Sequence, residues 1–267
     1  MRARAGASIA LAAAMALASP ACKRAPDAAA KPTLKVAAAA DLANAFGEVG
    51  QVYEKKTGQK VTFSFGSTGL LAKQIAEGAP FDLFAAANVS FVDDVVKSGA
   101  CADDSRFVYA RGRIVAWTRK GAALVPSALA DLKDARYAKI AIANPEHAPY
   151  GRAAQQALAR AGAWDDVAKK VVYGENVQQA LQFAQSGNAE VAIVALSLAV
   201  SSDGKYLAID PALHDPLDQA LVACKGAAPP ADARAFAAFV GSEEGRAIMK
   251  RYGFLLPGES LTEVAPR

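Results

Sequence analysis

One pattern constrains this chain more than any other. A short β-like run leads into a turn of small or hydroxyl residues, and a helix-like run leaves it. The clearest copy is Val61-Thr62-Phe63-Ser64-Phe65, then Gly66-Ser67-Thr68-Gly69, then Leu70 to Glu77. The glycines let the backbone turn tightly. At a helix start the first N–H groups lack partners inside the helix, and the dipole makes that end electropositive. Such a turn is a candidate anion cradle. Taken alone, it is explained better as a helix start capped by Ser67 or Thr68.

The pattern recurs. Thr33 to Ala40 is β-like, and Asp41 opens a helix whose apolar residues Leu42, Ala45, Phe46, Val49, Val52 and Tyr53 fall at helical spacing up to Gly58. Phe81 to Ala86 is a third strand, followed by a helix over 90–97. After two further β runs around Arg111-Gly112-Arg113, the pattern restarts. Lys139 to Ala143 is a strand, Asn144 to Gly151 a long turn, and Arg152 to Ala161 a helix. Val171-Val172-Tyr173 leads through Glu175-Asn176-Val177 into another helix, and Val191 to Leu196 is an apolar strand ending at Ser197. Repeated β–α units imply two successive α/β blocks, each with a largely parallel sheet and helices on its faces. In such sheets ligands sit outside the C-terminal ends of the strands, where these turns lie. The C-terminal third holds too few β–α units for a domain of its own and is expected to pack back onto one block.

The first twenty-two residues differ in kind. Arg2 and Arg4 precede an Ala-rich apolar stretch, and Ser19-Pro20-Ala21 places small residues before Cys22. This reads as a secretory signal peptide over 1–21. Cys22 at the cleavage point suggests lipidation of a bacterial lipoprotein, although Ser19-Pro20 is an imperfect lipobox. An Ala/Pro/Lys tether follows over 22–32. Cys101 and Cys224 remain. In an exported protein they could pair or stay as buried thiols, and the sequence leaves both open.

The chain carries no nucleophile elbow, phosphate loop, dinucleotide fingerprint or metal-ligand spacing, which argues against an enzyme, a cofactor or a bound metal cation. Its two histidines, His147 and His214, lie in expected loops. A net charge of +4 with no basic run interleaved with aromatics argues against nucleic acid. What recurs is the small or polar helix start, at Ala40-Asp41, at Gly66 to Gly69, at Pro149-Tyr150-Gly151 and at Glu175-Asn176-Val177. Each block contributes two. If the blocks face each other across a cleft, four helix N-termini could converge on one anion and hold it by N–H groups and hydroxyls without a full positive charge.

At this point the residues resemble a known family. Ala37 to Leu42, Phe65 to Gly69, Gly78 to Phe84, Asn144 to Gly151 and Arg251 to Phe254 are similar, in order, to segments of the molybdate-binding periplasmic proteins of ABC importers. The resemblance runs from about Leu34 to Phe254. It implies an α/β, two-lobed periplasmic binding protein fold that closes on a tetrahedral oxyanion. Lobe 1 is expected over 33–113 and 209–267, and lobe 2 over 114–208. The ligand would be molybdate or tungstate, contacted by Asp41, Ser67, Thr68, Tyr150 and Val177, the last through its N–H. The partner would be a membrane permease, and the protein a monomer in the periplasm or cell envelope. Sulfate, phosphate or a phosphonate is the alternative ligand, and a transferase on the same fold the more distant one.

Two positions depart from the family pattern. Asp41 stands where many members carry Ser, and a carboxylate repels a dianion. The expectation is that Asp41 offers its N–H and turns its side chain to cap its own helix. Ala195 stands where some members place a ligand-contacting Tyr, and Tyr150 or Ser197 is expected to supply that hydroxyl.

Overall fold

The computed structural model describes residues 31–259. The leader at 1–21, most of the tether and Cys22 lie outside the described residues. In chain order the strands are β1 (Leu34–Ala39), β2 (Val61–Gly66), β3 (Leu83–Ala86), β4 (Phe107–Gly112), β5 (Ile114–Arg119), β6 (Ile140–Ala143), β7 (Val171–Gly174), β8 (Val191–Ala195), β9 (Gly204–Ala208) and β10 (Leu217–Ala223). The helices are α1 (Ala43–Thr57), α2 (Thr68–Ala76), α3 (Val89–Lys97), α4 (Pro149–Arg160), α5 (Trp164–Val167), α6 (Val177–Gln185), α7 (Leu196–Ala199), α8 (Pro230–Val240) and α9 (Glu243–Arg251).

The strands form two five-stranded sheets, in the orders β2-β1-β3-β10-β4 and β7-β6-β8-β5-β9. Composition explains who sits where. β3, β6 and β8 are buried along their whole length and read as continuous apolar runs, as strands covered on both faces must. The edge strands β2 and β9 mix exposed and half-buried positions.

Both sheets are mixed, each with one reversed strand. β10 runs antiparallel to β3 and β4, and β5 runs antiparallel to β8 and β9, whereas β1, β2 and β3 are parallel, as are β6, β7 and β8. The reversed strands are the two that follow a crossing from the other sheet. β4 passes into β5 through Arg113 alone, and β9 passes into β10 through 209–216. A chain arriving from the opposite lobe enters at the end where its neighbours finish, so it must run the other way. The C-terminal third accordingly returns to the first sheet, giving it β10 and packing α8 and α9 beside α1.

The first sheet is covered on one face by α2 and α3, through Leu71, Ile75, Val92 and Val95. Elsewhere in the first lobe an aromatic cluster joins α1 to α8, with Phe236 edge-on to Phe46 at 6.3 Å and to Tyr53 at 5.2 Å between ring centroids. Cys101 and Cys224 form a disulfide, which resolves the choice left open by the sequence. It ties the segment after α3 to the end of β10. Asp82 adds a second tie, its carboxylate accepting from the N–H groups of Lys35 and Ala228, each at 2.7 Å.

One helix starts earlier than its sequence suggests. α4 begins at Pro149, so Tyr150 and Gly151 belong to its first turn rather than to the preceding loop. Proline is well suited to the first helical position, where no N–H is needed. Gly151 is required there, since a Cβ would lie 2.0 Å from the Ala143 carbonyl oxygen.

Candidate functional site

Four chain segments meet where the two sheets face each other. β1 ends at Ala39 and a 3-10 turn over Ala40–Leu42 leads into α1. β2 ends at Gly66, Ser67 precedes α2, and Thr68 is its first residue. From the other lobe come the start of α4, with Tyr150, and the start of α6, with Val177. Asp41, Ser67, Thr68, Tyr150 and Val177 all line one small cavity, together with Ala39, Ala40, Gly66, Ala87, Ala148, Pro149 and Asn176. No Lys or Arg is among these lining residues. The cavity measures about 10 Å3, the space of roughly one water molecule, so the lobes are shut.

The donors left without a protein acceptor among these lining residues are mostly main-chain groups. The Asn176 side chain caps α6 by accepting from the N–H groups of Gln178 and Gln179, both at 3.0 Å, which leaves that of Val177 uncommitted. The N–H groups of Thr68 and Tyr150 fall in the first turns of α2 and α4, where no intrahelical acceptor exists. Among the described residues none accepts a main-chain hydrogen bond from Thr68, Tyr150 or Val177. The Thr68 Oγ1 accepts from the Ala87 N–H at 3.3 Å, so its own proton stays free to donate.

The side chain of Asp41 does not cap its helix. Asp41 is fully buried, and its Oδ2 accepts from the Tyr150 hydroxyl at 2.9 Å and from the Gln219 amide. Gln219 is oriented in turn by the Tyr109 hydroxyl, which donates to its Oε1 at 2.9 Å. Two tertiary donors outcompete the local cap that the sequence suggested. The other carboxylate oxygen, Oδ1, is buried and has no partner. Burial raises the Asp41 pKa to about 6, against the lowering effect of the hydrogen bonds from Gln219 and Tyr150. Burial likewise holds the Tyr150 and Tyr109 phenols well above their usual range, with the nearby Asp41 charge adding to the effect.

Ser197 does not line the cavity. Its hydroxyl donates to the Asp41 carbonyl at 2.7 Å and fastens α7 of one lobe to the 3-10 turn of the other. Tyr150 is the phenol at the site, placed there by α4 rather than by position 195. Its hydroxyl nearly fills the space beside β4, since a Cβ on Gly112 would lie 2.1 Å from it.

Two partners were not legible in the sequence, Gln219 and Tyr109; a third, His147, falls in the turn over 144–151. His147 closes the other side of the cleft. Its carbonyl accepts from the Gly69 N–H at 2.9 Å and from the Ser67 hydroxyl at 2.7 Å. Its Nδ1 also lies 2.7 Å from Ser67 Oγ. With the hydroxyl proton committed to the carbonyl, that contact requires the ring proton on Nδ1. The turn at Asn144 to Gly151 marked His147 as a neighbour of the site. Nothing local marked Gln219 or Tyr109, which arrive on β10 and β4.

The chain matches, over residues 34–255, the model of a family described as bacterial extracellular solute-binding protein. It belongs to this family. Among curated members it is 37% identical over 227 residues to the molybdate-binding protein ModA of Azotobacter vinelandii, covering 83% of this chain and 89% of that one. It is 34% identical over 220 residues to the ModA of Rhodobacter capsulatus, covering 82% and 86%. The solved periplasmic molybdate-binding protein of Azotobacter vinelandii superposes with a TM-score of 0.78 at 31% identity, covering 84% of this chain and 99% of that one. The cavity that the five expected residues line lies where the two sheets of this shared fold face each other.

Proposed function

We propose that this chain is an extracytoplasmic receptor that captures molybdate, with tungstate as an equivalent ligand, and delivers it to an ABC permease. The observation that carries the reading is the convergence of four strand-end turns, two from each lobe, on one cavity without a cation. Members of the same solute-binding family with 34–37% identity are named for molybdate binding. We take 33–113 with 209–267 as the first lobe and 114–208 as the second, with 260–267 lying outside the described residues.

Capture follows from the geometry. An anion enters when the lobes part at the two crossings, because the shut cavity holds only about one water. It then takes the free N–H groups of Thr68, Tyr150 and Val177 and the Thr68 hydroxyl. Ser67 turns its hydroxyl from the His147 carbonyl to the anion. Charge-assisted hydrogen bonds of this kind each contribute about 1.5–3 kcal/mol. A cage without Lys or Arg holds the anion by dipoles alone, which suits a receptor that must release it to a permease. The protein acts as a monomer, tethered to the envelope through a lipid on Cys22 after removal of 1–21. Cys22→Ala would then leave the mature protein in the soluble fraction.

Calorimetric titration with molybdate, tungstate, sulfate and phosphate tests the reading. Molybdate and tungstate should bind one per chain and more tightly than sulfate. Absence of binding by both would overturn it. A transferase on this fold would need a reactive Cys or an Arg-lined cleft; both cysteines among the described residues are committed to the disulfide, and no Arg lines the cavity.

A further inference from the structure

The cavity described above has one member that does not fit a cage of donors. Asp41 is fully buried, lines the cavity, and leaves one oxygen unpartnered. Its two oxygens are not equivalent. Oδ2 accepts from both Tyr150 and Gln219, and the Tyr109 hydroxyl, donating to Gln219 Oε1, holds the amide in that orientation. Oδ1 is therefore the oxygen left to meet an incoming anion. Two bare oxyanions cannot share a desolvated contact, because neither offers a proton and both are negative.

We propose that capture at this site takes up one proton, held in a hydrogen bond between Asp41 Oδ1 and an oxygen of the bound anion. The inference rests on the reading of the cavity as an oxyanion site. Proton balance gives two routes to the same complex. A dianion with no proton of its own, such as molybdate or sulfate, binds together with a proton from solvent that resides on Oδ1. An anion that carries an O–H, such as hydrogen phosphate, brings the proton and donates it to Oδ1. Asp41 is thus a specificity-determining residue. It sets how the preference between unprotonated and protonated tetrahedral anions changes with pH.

Asp41 and Tyr150 are the titratable side chains among the residues that line the cavity. Tyr150 on α4 and Tyr109 on β4 stay protonated, and Gln219 on β10 is neutral. α6 and α7 carry no titratable side chain. On α1 the carboxylate of Glu48 is paired with Arg251. Arg113, at the first crossing, is directed to the Gly253 carbonyl at 2.8 Å. His147 faces Ser67, with its Nδ1 2.7 Å from Oγ. Burial already places the Asp41 pKa at about 6 without an anion, and a bound anion raises it further.

The test is titration of the mature protein with sodium molybdate and with inorganic phosphate, between about pH 6 and 8.5, in paired buffers of different protonation enthalpy. Wild type should take up close to one proton per molybdate at the alkaline end, and its affinity should fall about tenfold per pH unit there. Hydrogen phosphate should gain on molybdate by the same factor. Asp41→Asn should bind molybdate with no proton uptake and no such slope. Molybdate binding to wild type without proton uptake and with a flat pH profile would overturn the inference and leave the receptor reading standing. Failure of every oxyanion to bind at any pH would overturn the receptor reading itself.

Discussion

Tyr150 donates its hydroxyl hydrogen bond to Asp41 across the cleft, at 2.9 Å, from the first turn of α4 to the turn that ends β1. One residue lies in each lobe, so the bond exists only when the lobes are shut. The carboxylate is consequently an electrostatic part of closure as well as a wall of the cavity.

Removing that donor should show in stability. Tyr150→Phe leaves Asp41 Oδ2 with Gln219 alone. A hydrogen bond to a buried charged group contributes about 1.5–3 kcal/mol. Chemical denaturation at pH 8 should show a loss of that order in the ligand-free protein. The loss should shrink at pH 5, where Asp41 is protonated.

Asp41 itself makes stability depend on pH. Its folded pKa of about 6 lies above the usual 3.8, so the folded state binds the proton more tightly than the unfolded one. The stabilisation from that proton is complete below about pH 4 and is lost as pH rises through about 6. Asp41→Asn removes the effect. The stability of the variant relative to wild type should therefore rise between pH 4 and pH 7, by up to ~3 kcal/mol for a shift of about two units. Thermal melts of the ligand-free proteins across this range would measure it, and a constant difference would count against the assignment.

Gly69 is predicted to govern closure rather than folding. A Cβ there would lie 2.8 Å from the His147 carbonyl oxygen in the other lobe. Overpacking of this kind costs about 1–3 kcal/mol. An alanine at a helical position favours the helix by up to about 1 kcal/mol. Gly69→Ala should thus keep or raise melting temperature while weakening anion affinity about tenfold or more. Small-angle scattering should show a smaller fraction of shut molecules.

The disulfide should matter for stability and not for binding. Cys101 and Cys224 are 123 residues apart, and neither lines the cavity. Chain-entropy arguments give about 4–5 kcal/mol for a loop of this size, and measured losses are commonly about 2–5 kcal/mol. Replacing both cysteines by serine should lower the denaturation midpoint accordingly and leave the molybdate dissociation constant within about twofold.

Much of the scaffold was legible because its signals are local. Small turns between apolar strands and periodic helices marked both α/β blocks, and the turns at Asp41, Ser67, Tyr150 and Val177 mark where the two blocks meet. The one reversed strand in each sheet was not legible, because direction depends on which lobe the chain has just left. The side chain of Asp41 was misread for a related reason. Sequence offers the cap on its own helix, while the winning partners, Tyr150 and Gln219, stand 109 and 178 residues away. Residues such as Gln219 and Tyr109 carry no mark of the site, since their role follows only from sheet order.

The disulfide has a topological consequence. The whole second sheet, from Ile114 to Ala208, lies between the two cysteines it joins. That lobe is therefore a loop hung from a covalently closed ring, both of whose attachment points belong to the first lobe. Opening and closing never stretch the bond. A protease that cuts once anywhere in the second lobe severs the backbone but releases no fragment, because the pieces on either side stay joined through Cys101 and Cys224. A nicked molecule would still present both halves of the cleft to each other.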